Sequence, residues 1–472
     1  MAQRQVVRRA GILAILTVGL VFLWARITHN NISTPGPDHT ITTTTTTTTT
    51  IVDDLSSARA PFVSWPLQRL CAETTPVPGL VFLCDNNSGG PGNIRNYILT
   101  CVRYAIEAGA TALITPQIRT RNPDDPRDLF RGHQPLAYLF DAAHFGDALA
   151  AACPQLRIYE RLEDVPGVAA KARREGLGDG GVARMVQTVT PKHGFDGGRG
   201  GCDARDQNRH TDRFGAAFRA WMADSARELG LEPTAAENPK VIRLAWGVLW
   251  DWPVYRDGPE FVASFGGLLR FRDDVLDLAD GIVPSMGALG ASSGEAEERG
   301  VSGSGRSPSA FLGVHLRTEV DALAQWPSYE NQSLGYITEA ERQGYRGGLA
   351  YLACGSETEA RKFADEAEAS LQLRVRSKYD LLEGRALEQL KAMSWDQQAL
   401  VDYVVLLGAD YFVGVSPSSF SINVALKRHL QREGLNTRPW RVGGLGDGRS
   451  WLVGRYDAYW DDWLFMFDGM WP

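Results

Sequence analysis

The chain has 472 residues, of which 44% are hydrophobic, and its formal net charge is −7 at pH 7. This length and composition allow a large buried core and indicate more than one domain. The acidic balance argues against a nucleic-acid-binding protein, because such proteins concentrate Lys and Arg where they contact phosphates.

The N-terminus has the pattern of a membrane anchor. Three arginines precede an uncharged apolar run that begins at Ala10 and ends at Ala25. The run is slightly shorter than the roughly 20 residues of an average spanning helix, although about 17 can suffice. The excess of positive charge before it predicts a cytosolic tail over residues 1–9 and a single transmembrane signal-anchor over 10–27. A cleaved signal peptide is the alternative, but no small-residue cleavage motif follows the run.

Residues 28–60 are predicted to form a disordered stalk. They include nine consecutive threonines, Thr42 to Thr50, and such a composition cannot build a packed core. An O-glycosylated stalk and a plain disordered linker fit this segment equally well. All six cysteines follow the anchor, and an oxidising lumen would let some of them pair, although their spacing does not choose the partners.

The first globular region, residues 61–268, begins with the pattern of a βαβ unit. An apolar run over Gly79–Asp85 predicts a strand that is buried on both faces. A glycine-rich turn, a segment with apolar residues at helical spacing and a second strand in TALITP follow it. The segments AYLFD and LRIYE are predicted to continue this α/β region, and VIRLAWGVLWDWPV is a strongly apolar, strand-like segment.

The second region, residues 269–472, repeats the alternation. The segments FLGVHL, GGLAYLACG and LQLRVR are predicted strands, with helical patterns between them. A Gly/Ser/Glu-rich stretch over residues 287–309 is predicted to be an exposed insertion. Two successive α/β halves predict two Rossmann-like domains that face a cleft.

Three polar loops follow predicted strands, and the first runs from Ser88 to Arg95. Its glycines, including Gly90 and Gly92, would let backbone N–H groups approach an anion at a helix N-terminus. Asn93 could cap the helix or donate to a ligand, and Arg95 projects from the first turn. The loop lacks the Gly-Lys-Ser/Thr ending of a P-loop, and a plain tight turn explains its glycines equally well.

The second loop is HLRTEVD. Alternation places His315, Arg317 and Glu319 on one side of the strand where it leaves the core. A guanidinium at that position suits phosphate oxygens, and Asp321 could accept hydrogen bonds from a purine edge or a ribose. A surface ion-pair cluster among Arg317, Glu319 and Asp321 is the alternative.

The third loop, GVSPSSFS, precedes a predicted helix. Ser418, Ser419 and Ser421 could cap that helix, or the loop could bind an anion through its hydroxyls and N–H groups. Each loop is ambiguous by itself. Three anion-compatible loops in two domains indicate a site for a phosphorylated ligand.

Taken in order, the motifs GGxGNxR, HLRxExD, YLAxG and DYxxxxxADxFVGxxxSSFS resemble the GDP-fucose protein O-fucosyltransferase superfamily over about residues 79–430. The resemblance implies an α/β, GT-B-like fold with the donor nucleotide on the C-terminal domain and the acceptor at the cleft. It implies that Arg317 engages the diphosphate and supports its departure. The positions that it implies for substrate binding are Gly90, Gly92, Asn93, Arg95, His315, Asp321, Ser418, Ser419 and Phe420.

The sequence departs from this family in one respect that concerns catalysis. Some members carry a glutamate in the first glycine loop that is proposed as the base, whereas residues 89–92 here contain no carboxylate. Glu319 and Asp251 are candidate bases, and a dissociative route without a base is the alternative. No metal-binding signature stands out, so we expect neither a catalytic metal nor a cofactor other than the donor substrate.

The expected protein is therefore an inverting, metal-independent transferase of fucose from GDP-fucose to a protein or glycan acceptor. The anchor and stalk suit a single-pass type II protein of the Golgi or endoplasmic reticulum membrane with a lumenal catalytic region. Two alternatives stay open: a transferase that uses another GDP-sugar for wall or glycan synthesis, and a catalytically silent, membrane-tethered glycan-binding protein.

Overall fold

The computed structural model describes residues 55–122, 125, 127–178, 180–191, 195, 214–228, 234–291, 310–319, 326–430, 438–444 and 446–472. The predicted anchor over 10–27, nearly all of the predicted stalk and Asp321 lie outside these ranges. Within them, no helix has the length and hydropathy needed to cross a membrane. The anchor therefore stays a prediction from the sequence.

Twelve strands are found in the described part of the chain. They are β1 Leu80–Leu83, β2 Ala112–Ile114, β3 Gln117–Thr120, β4 Gly132–Pro135, β5 Arg157–Tyr159, β6 Val186–Val189, β7 Lys240–Leu244, β8 Leu312–Leu316, β9 Leu349–Cys354, β10 Arg374–Arg376, β11 Tyr411–Val415 and β12 Ser450–Val453. Ten of them form two parallel sheets, and β3 pairs with β4 in an antiparallel ribbon.

The described α-helices connect these strands. They are α1 Trp65–Glu73, α2 Pro91–Ala108, α3 Ala142–Ala152, α4 Val168–Arg174, α5 Gly181–Arg184, α6 Phe214–Glu228, α7 Pro259–Phe265, α8 Asp273–Ala291, α9 Tyr329–Arg342, α10 Glu357–Leu371, α11 Lys378–Leu381, α12 Gly384–Ala392, α13 Trp395–Leu407, α14 Ser419–His429 and α15 Phe465–Asp468. Short 3₁₀ helices include Leu136–Tyr138 and Trp246–Trp250.

The N-terminal sheet has the order β5-β2-β1-β7-β6, and every pair in it is parallel. All four residues of β1 are buried, as expected for a strand in a parallel sheet that is covered on both faces. The helix α2 follows β1, beginning with Pro91 in its first turn and ending at the left-handed Gly109. The βαβ prediction is thereby confirmed, and the segment AYLFD overlaps a 3₁₀ helix.

The C-terminal sheet has the order β10-β9-β8-β11-β12 and is also parallel throughout. In the C-terminal sheet the strands follow one another outward from β8 in both directions, whereas in the N-terminal sheet β7 lies between β1 and the earlier strand β6. In both sheets the order reverses beside the first strand, between β1 and β7 and between β8 and β11. Ligands of open α/β sheets bind at the carboxyl ends of the strands at such a reversal. The two reversals therefore mark where a site should be sought.

Two disulfide bonds strengthen the N-terminal domain. Cys71 in α1 pairs with Cys153 at the end of α3, and Cys84 after β1 pairs with Cys101 in α2. Cys354 is a free thiol in the C-terminal domain. The second disulfide closes a segment of the chain that contains the whole glycine-rich loop.

The last residues of the chain return to the N-terminal domain, although the sequence predicts one C-terminal domain over residues 269–472. The side chain of Asn96 in α2 donates to the carbonyl of Gly469 and accepts from the backbone N–H of Trp471. The indole of Trp471 donates to Thr100, also in α2. The C-terminal segment thus fastens α2, whose first turn faces the other domain.

Candidate functional site

A cleft of about 1080 Å³ lies between the two sheets. Its walls come from the loops that follow β1 and β7 on one side and β8 and β11 on the other, which are the strands at the two reversals of strand order. The three polar loops identified in the sequence all contribute residues to it. The predicted positions that line the cleft are Gly90, Gly92, Asn93, His315, Arg317, Glu319, Ser418, Ser419 and Phe420.

The backbone of Arg317 is held firmly at the end of β8. The buried side chain of Gln332 accepts from the Arg317 N–H at 2.9 Å and donates to the Arg317 carbonyl at 2.8 Å. The guanidinium forms an ion pair with Glu319 and lies 5.8 Å from the ring of Trp326. A cation fixed at a strand end in a cleft is suited to an anionic ligand.

Glu319 is bound on both carboxylate oxygens. Besides Arg317, it accepts hydrogen bonds from the backbone N–H groups of Thr318 and Gly355. These contacts make Glu319 a structural partner of Arg317, as in the ion-pair cluster that the sequence left open as an alternative. The pair lies in the cleft, however, and not on the open surface. Asp321, the third member of that alternative, lies outside the described residues.

His315 is a neutral side chain in the floor of the cleft. Its Nδ1 lies 2.7 Å from Ser421 Oγ, and its ring centroid is 4.5 Å from that of Phe420. Burial, with the nearby charge of Arg317 as a smaller cause, lowers the pKa of His315 to about 3. Because Ser421 Oγ also accepts from the N–H of Val415, its own proton can go to Nδ1, which favours the tautomer protonated on Nε2.

The serine loop does not cap α14 in the expected way. Ser418 occupies the N-cap position without a side-chain capping bond, and Ser421 points back to His315 instead. The first N–H groups of α14 therefore have no serine hydroxyl as a partner in the described contacts. A helix N-terminus of this kind favours an anion.

The glycine loop brings a second helix N-terminus to the same place. A Cβ on Gly92 would lie 3.0 Å from the backbone C and O of Ser419 and 3.1 Å from the N of Phe420. Only a residue without a side chain lets α2 approach the serine loop so closely. Asn93 Oδ1 is buried in this corner with no hydrogen-bond partner among the described residues.

Arg95 does not reach the cleft, in contrast to the prediction from the resemblance. Its guanidinium is buried and donates to the carbonyl oxygens of Gly266, Trp471 and Pro472. Burial lowers the pKa of this guanidinium. Arg95 therefore fastens the C-terminal segment to α2 and does not face a ligand.

The candidate base Asp251 is likewise outside the cleft lining. It is only 1% exposed, at the end of the 3₁₀ helix that follows β7. Within the described ranges, no cluster of three or more His, Cys, Asp or Glu side chains has the geometry to hold a metal ion.

Three groups of residues that line the cleft were not assigned to the site from the sequence. Lys378 and Asp402 form a buried ion pair, and Tyr351 donates to the same carboxylate at 2.7 Å. Arg121 is buried between Asp396 and the ring of Trp395. The third group comprises the tryptophans Trp246, Trp250, Trp326, Trp395 and Trp463. The sequence contains one indication of these groups. Asp402 is a carboxylate inside the apolar run ALVDYVVLL, and a buried carboxylate requires a partner.

Comparison with known proteins identifies one family. The family model for GDP-fucose protein O-fucosyltransferase matches residues 80–431, which includes both sheets' reversal points. No curated protein sequence matches the chain.

The chain is also similar to solved structures of fucosyltransferases. They include POFUT1 in complex with GDP, with 13% identity over 76% of this chain and 97% of that chain and a TM-score of 0.40. A mutant of FUT1 from Arabidopsis thaliana in complex with GDP has 11% identity over 77% and 72%, with a TM-score of 0.36. NodZ from Bradyrhizobium has 13% identity over 74% and 90%, with a TM-score of 0.34.

Proposed function

Because the chain belongs to the GDP-fucose protein O-fucosyltransferase family, we propose that it is an inverting glycosyltransferase that transfers fucose from GDP-fucose to a protein or glycan acceptor. One observation of the cleft carries this proposal. Arg317 and the N-termini of α2 and α14 line the same cleft, and the two helix N-termini approach each other closely at Gly92 and Ser419. This arrangement suits the diphosphate of a nucleotide sugar.

The reaction would be a single displacement at the anomeric carbon. An oxygen of the acceptor bonds to C1 from the face opposite the nucleotide, while the C1–O bond to the β-phosphate breaks and its electron pair leaves with GDP. Negative charge grows on the diphosphate during this step. Arg317 and the N–H groups of the two helix N-termini are positioned to stabilise it.

The residues of the cleft support a mechanism in which departure of GDP, and not deprotonation of the acceptor, leads the reaction. The described carboxylates that line it are Glu319, Glu357, Asp380 and Asp402, and each accepts a hydrogen bond or ion pair from a neighbouring side chain. We therefore propose that departure of GDP leads the reaction and that the acceptor proton is lost late. Arg317 supplies at the diphosphate the positive charge that a metal ion provides in other transferases, which supports a metal-independent route.

The second candidate is a silent, glycan-binding member of the family. Two observations favour it: residues 89–92 of the glycine loop include no carboxylate, and the Glu319 carboxylate is already bound by its neighbours. Such a protein would bind GDP or a glycan without turnover.

Two tests separate these candidates. Calorimetric titration of the purified protein with GDP should show binding, and absence of binding would contradict both transferase proposals. A screen of GDP-fucose, GDP-mannose and UDP-glucose should then show release of nucleoside diphosphate from GDP-fucose. Preference for GDP-mannose would support the alternative donor, and binding without turnover of any donor would support the silent protein.

We also propose that the catalytic region faces the lumen of the Golgi or endoplasmic reticulum as a type II membrane protein. The disulfides Cys71–Cys153 and Cys84–Cys101 support this location, because such bonds persist in oxidising compartments. Protease treatment of intact microsomes should leave the catalytic region uncut, and detergent should expose it. Digestion of the catalytic region without detergent would contradict the proposed orientation.

A further inference from the structure

The cleft is rich in tryptophan. Five of the thirteen tryptophans in the chain line this single cleft. Trp246 and Trp250 belong to the 3₁₀ helix directly after β7, at the carboxyl edge of the N-terminal sheet. Trp463 comes from the C-terminal segment that packs back on this domain. We call Trp246, Trp250 and Trp463 the aromatic wall.

Two members of the aromatic wall pack against the same aromatic ring. Trp246 and Trp463 are partly exposed, whereas Trp250 is only 6% exposed. Phe465 packs between two of its members, with ring centroids 6.0 Å from Trp250 and 5.6 Å from Trp463. Trp463 has a backbone φ of 61°, a left-handed conformation that bulky residues rarely adopt. Strain of this kind at a cleft is a reason to look for a function of the side chain that it presents.

The charge around the aromatic wall is low. The described residues that the N-terminal domain contributes to the cleft include no carboxylate. Their one cation, Arg121, is already engaged by Asp396 and by the ring of Trp395, at 4.7 Å from the centroid. Lys391 and Gln398 of the C-terminal domain also line the cleft and add polar groups to it. An aromatic, neutral surface in a cleft that also contains polar groups suits a ligand that is apolar on its faces and polar on its edges.

A sugar ring has this character. Its axial C–H groups form an apolar face that packs on the electron-rich face of an indole, while its hydroxyls point outward to hydrogen-bond donors and acceptors. The cleft volume of about 1080 Å³ is at the upper limit of the ~300–1000 Å³ typical of pockets for one small ligand. Space for an acceptor ring therefore remains beside a nucleotide sugar.

We propose that the acceptor is a carbohydrate chain whose sugar rings stack on the aromatic wall, so that the product is a sugar–sugar glycosidic bond. This inference rests on the proposed transferase function. An acceptor hydroxyl oxygen bonds to C1 of fucose, the C1–O bond to the β-phosphate breaks with its electron pair going to GDP, and the hydroxyl proton passes to solvent.

The test compares acceptor classes with the full-length protein. Radiolabelled GDP-fucose is supplied with short oligosaccharides of glucose, xylose, galactose or N-acetylglucosamine, and in parallel with Ser- and Thr-containing peptides and a small disulfide-bonded protein domain. We expect label in at least one oligosaccharide and none in the peptides or the domain. Label only in a peptide or the domain, or in none of the acceptors while GDP still binds, overturns the inference. Absence of GDP binding instead contradicts the transferase proposal.

Variants then locate the acceptor. Trp463→Ala should raise the KM for the labelled oligosaccharide about ten-fold and should raise the KM for GDP-fucose much less, because stacking is lost on the acceptor side only. Trp463→Phe retains a ring and should restore most of the acceptor KM, which a merely structural role would not require. Trp65→Ala is the matched control, since Trp65 is half exposed on α1 and does not line the cleft. Equal increases in both KM values, or no recovery in the Phe variant, contradict the inference.

Discussion

Both domains contain a five-stranded parallel sheet, and the two sheets differ only in the order of their last two strands, but the domains present different chemistry at the reversal of strand order. In the N-terminal domain, β1 leads to glycines and β7 leads to tryptophans. In the C-terminal domain, β8 leads to Arg317 and β11 leads to the serine loop. Because the fold places both sets at the same cleft, the sheets set the position and the loops set the chemistry.

The domains also hold their loops in different ways. Cys84–Cys101 brackets the glycine loop covalently, and its partners are separated by 17 residues. Arg317 is fixed instead by hydrogen bonds to Gln332, and His315 by its contact with Ser421. We call the glycine loop and the 3₁₀ helix after β7 the N-terminal wall of the cleft, and Arg317 with the serine loop the C-terminal wall. The difference predicts that substitutions in the N-terminal wall lower mainly the stability of the fold, whereas substitutions in the C-terminal wall lower mainly the reaction rate.

The largest effect is expected at the C-terminal wall. Arg317→Ala should lower turnover of GDP-fucose about 10²- to 10³-fold, because the growing charge on the diphosphate loses its cation. The fold should persist, since Glu319 keeps its bonds to the N–H groups of Thr318 and Gly355. Steady-state kinetics measure the change, and Arg69→Ala on the exposed face of α1 is the control. Unchanged turnover would remove Arg317 from the mechanism.

The next largest effect is expected on the stability of the N-terminal wall. Replacement of both Cys84 and Cys101 by Ala should lower the free energy of unfolding by about 3 kcal/mol, because the unfolded chain regains the freedom that the short covalent loop removed. Denaturant unfolding under non-reducing conditions measures it. Cys354→Ala, which breaks no disulfide, should have a clearly smaller effect. Equal losses in the two proteins would show that this bond does not stabilise the domain.

A smaller effect is expected where the two walls meet. Gly92→Ala places a Cβ against the backbone of Ser419 and Phe420, which cannot yield as a flexible side chain would. We expect kcat/KM for GDP-fucose to fall about ten-fold, equivalent to about 1.4 kcal/mol. Gly146→Ala in α3 is the matched control, because a Cβ there meets nothing within 4 Å. Equal kinetics in both variants would contradict a close approach of the two walls.

The sequence was sufficient for the parts of the site that depend on local pattern. Apolar runs located β1 and β8, and the polar residues after them had to lie at the carboxyl edges of parallel sheets. The family resemblance ordered these loops around a nucleotide sugar, and the α/β prediction is confirmed by the two parallel sheets.

The remaining features depend on contacts between distant parts of the chain. Arg95 follows the glycine loop, but its partners Trp471 and Pro472 lie more than 370 residues away in the sequence. A local sequence pattern cannot predict such a contact. The disulfide partners were undetermined for the same reason, since six cysteines leave many pairings open. The aromatic wall joins segments from β7 and the C-terminus, so only the folded chain brings it together.

The final prediction concerns the pH dependence of stability, to which the buried His315 should contribute and an exposed histidine should not. The pKa of His315 in the folded protein is about 3, below the ordinary value of 6.5 for a histidine, so between these pH values the unfolded chain binds a proton that the folded chain excludes. The contribution of His315 is therefore present above about pH 6.5 and is lost as pH falls, by up to about 1.4 kcal/mol per pH unit. Denaturant unfolding at a series of pH values should show a shallower acid slope for His315→Asn than for the wild type. His133→Asn, in the exposed strand β4, controls for the loss of an imidazole. If the His315→Asn slope matched the wild-type slope, His315 would not be the neutral, buried contact of Ser421 that organises the serine loop.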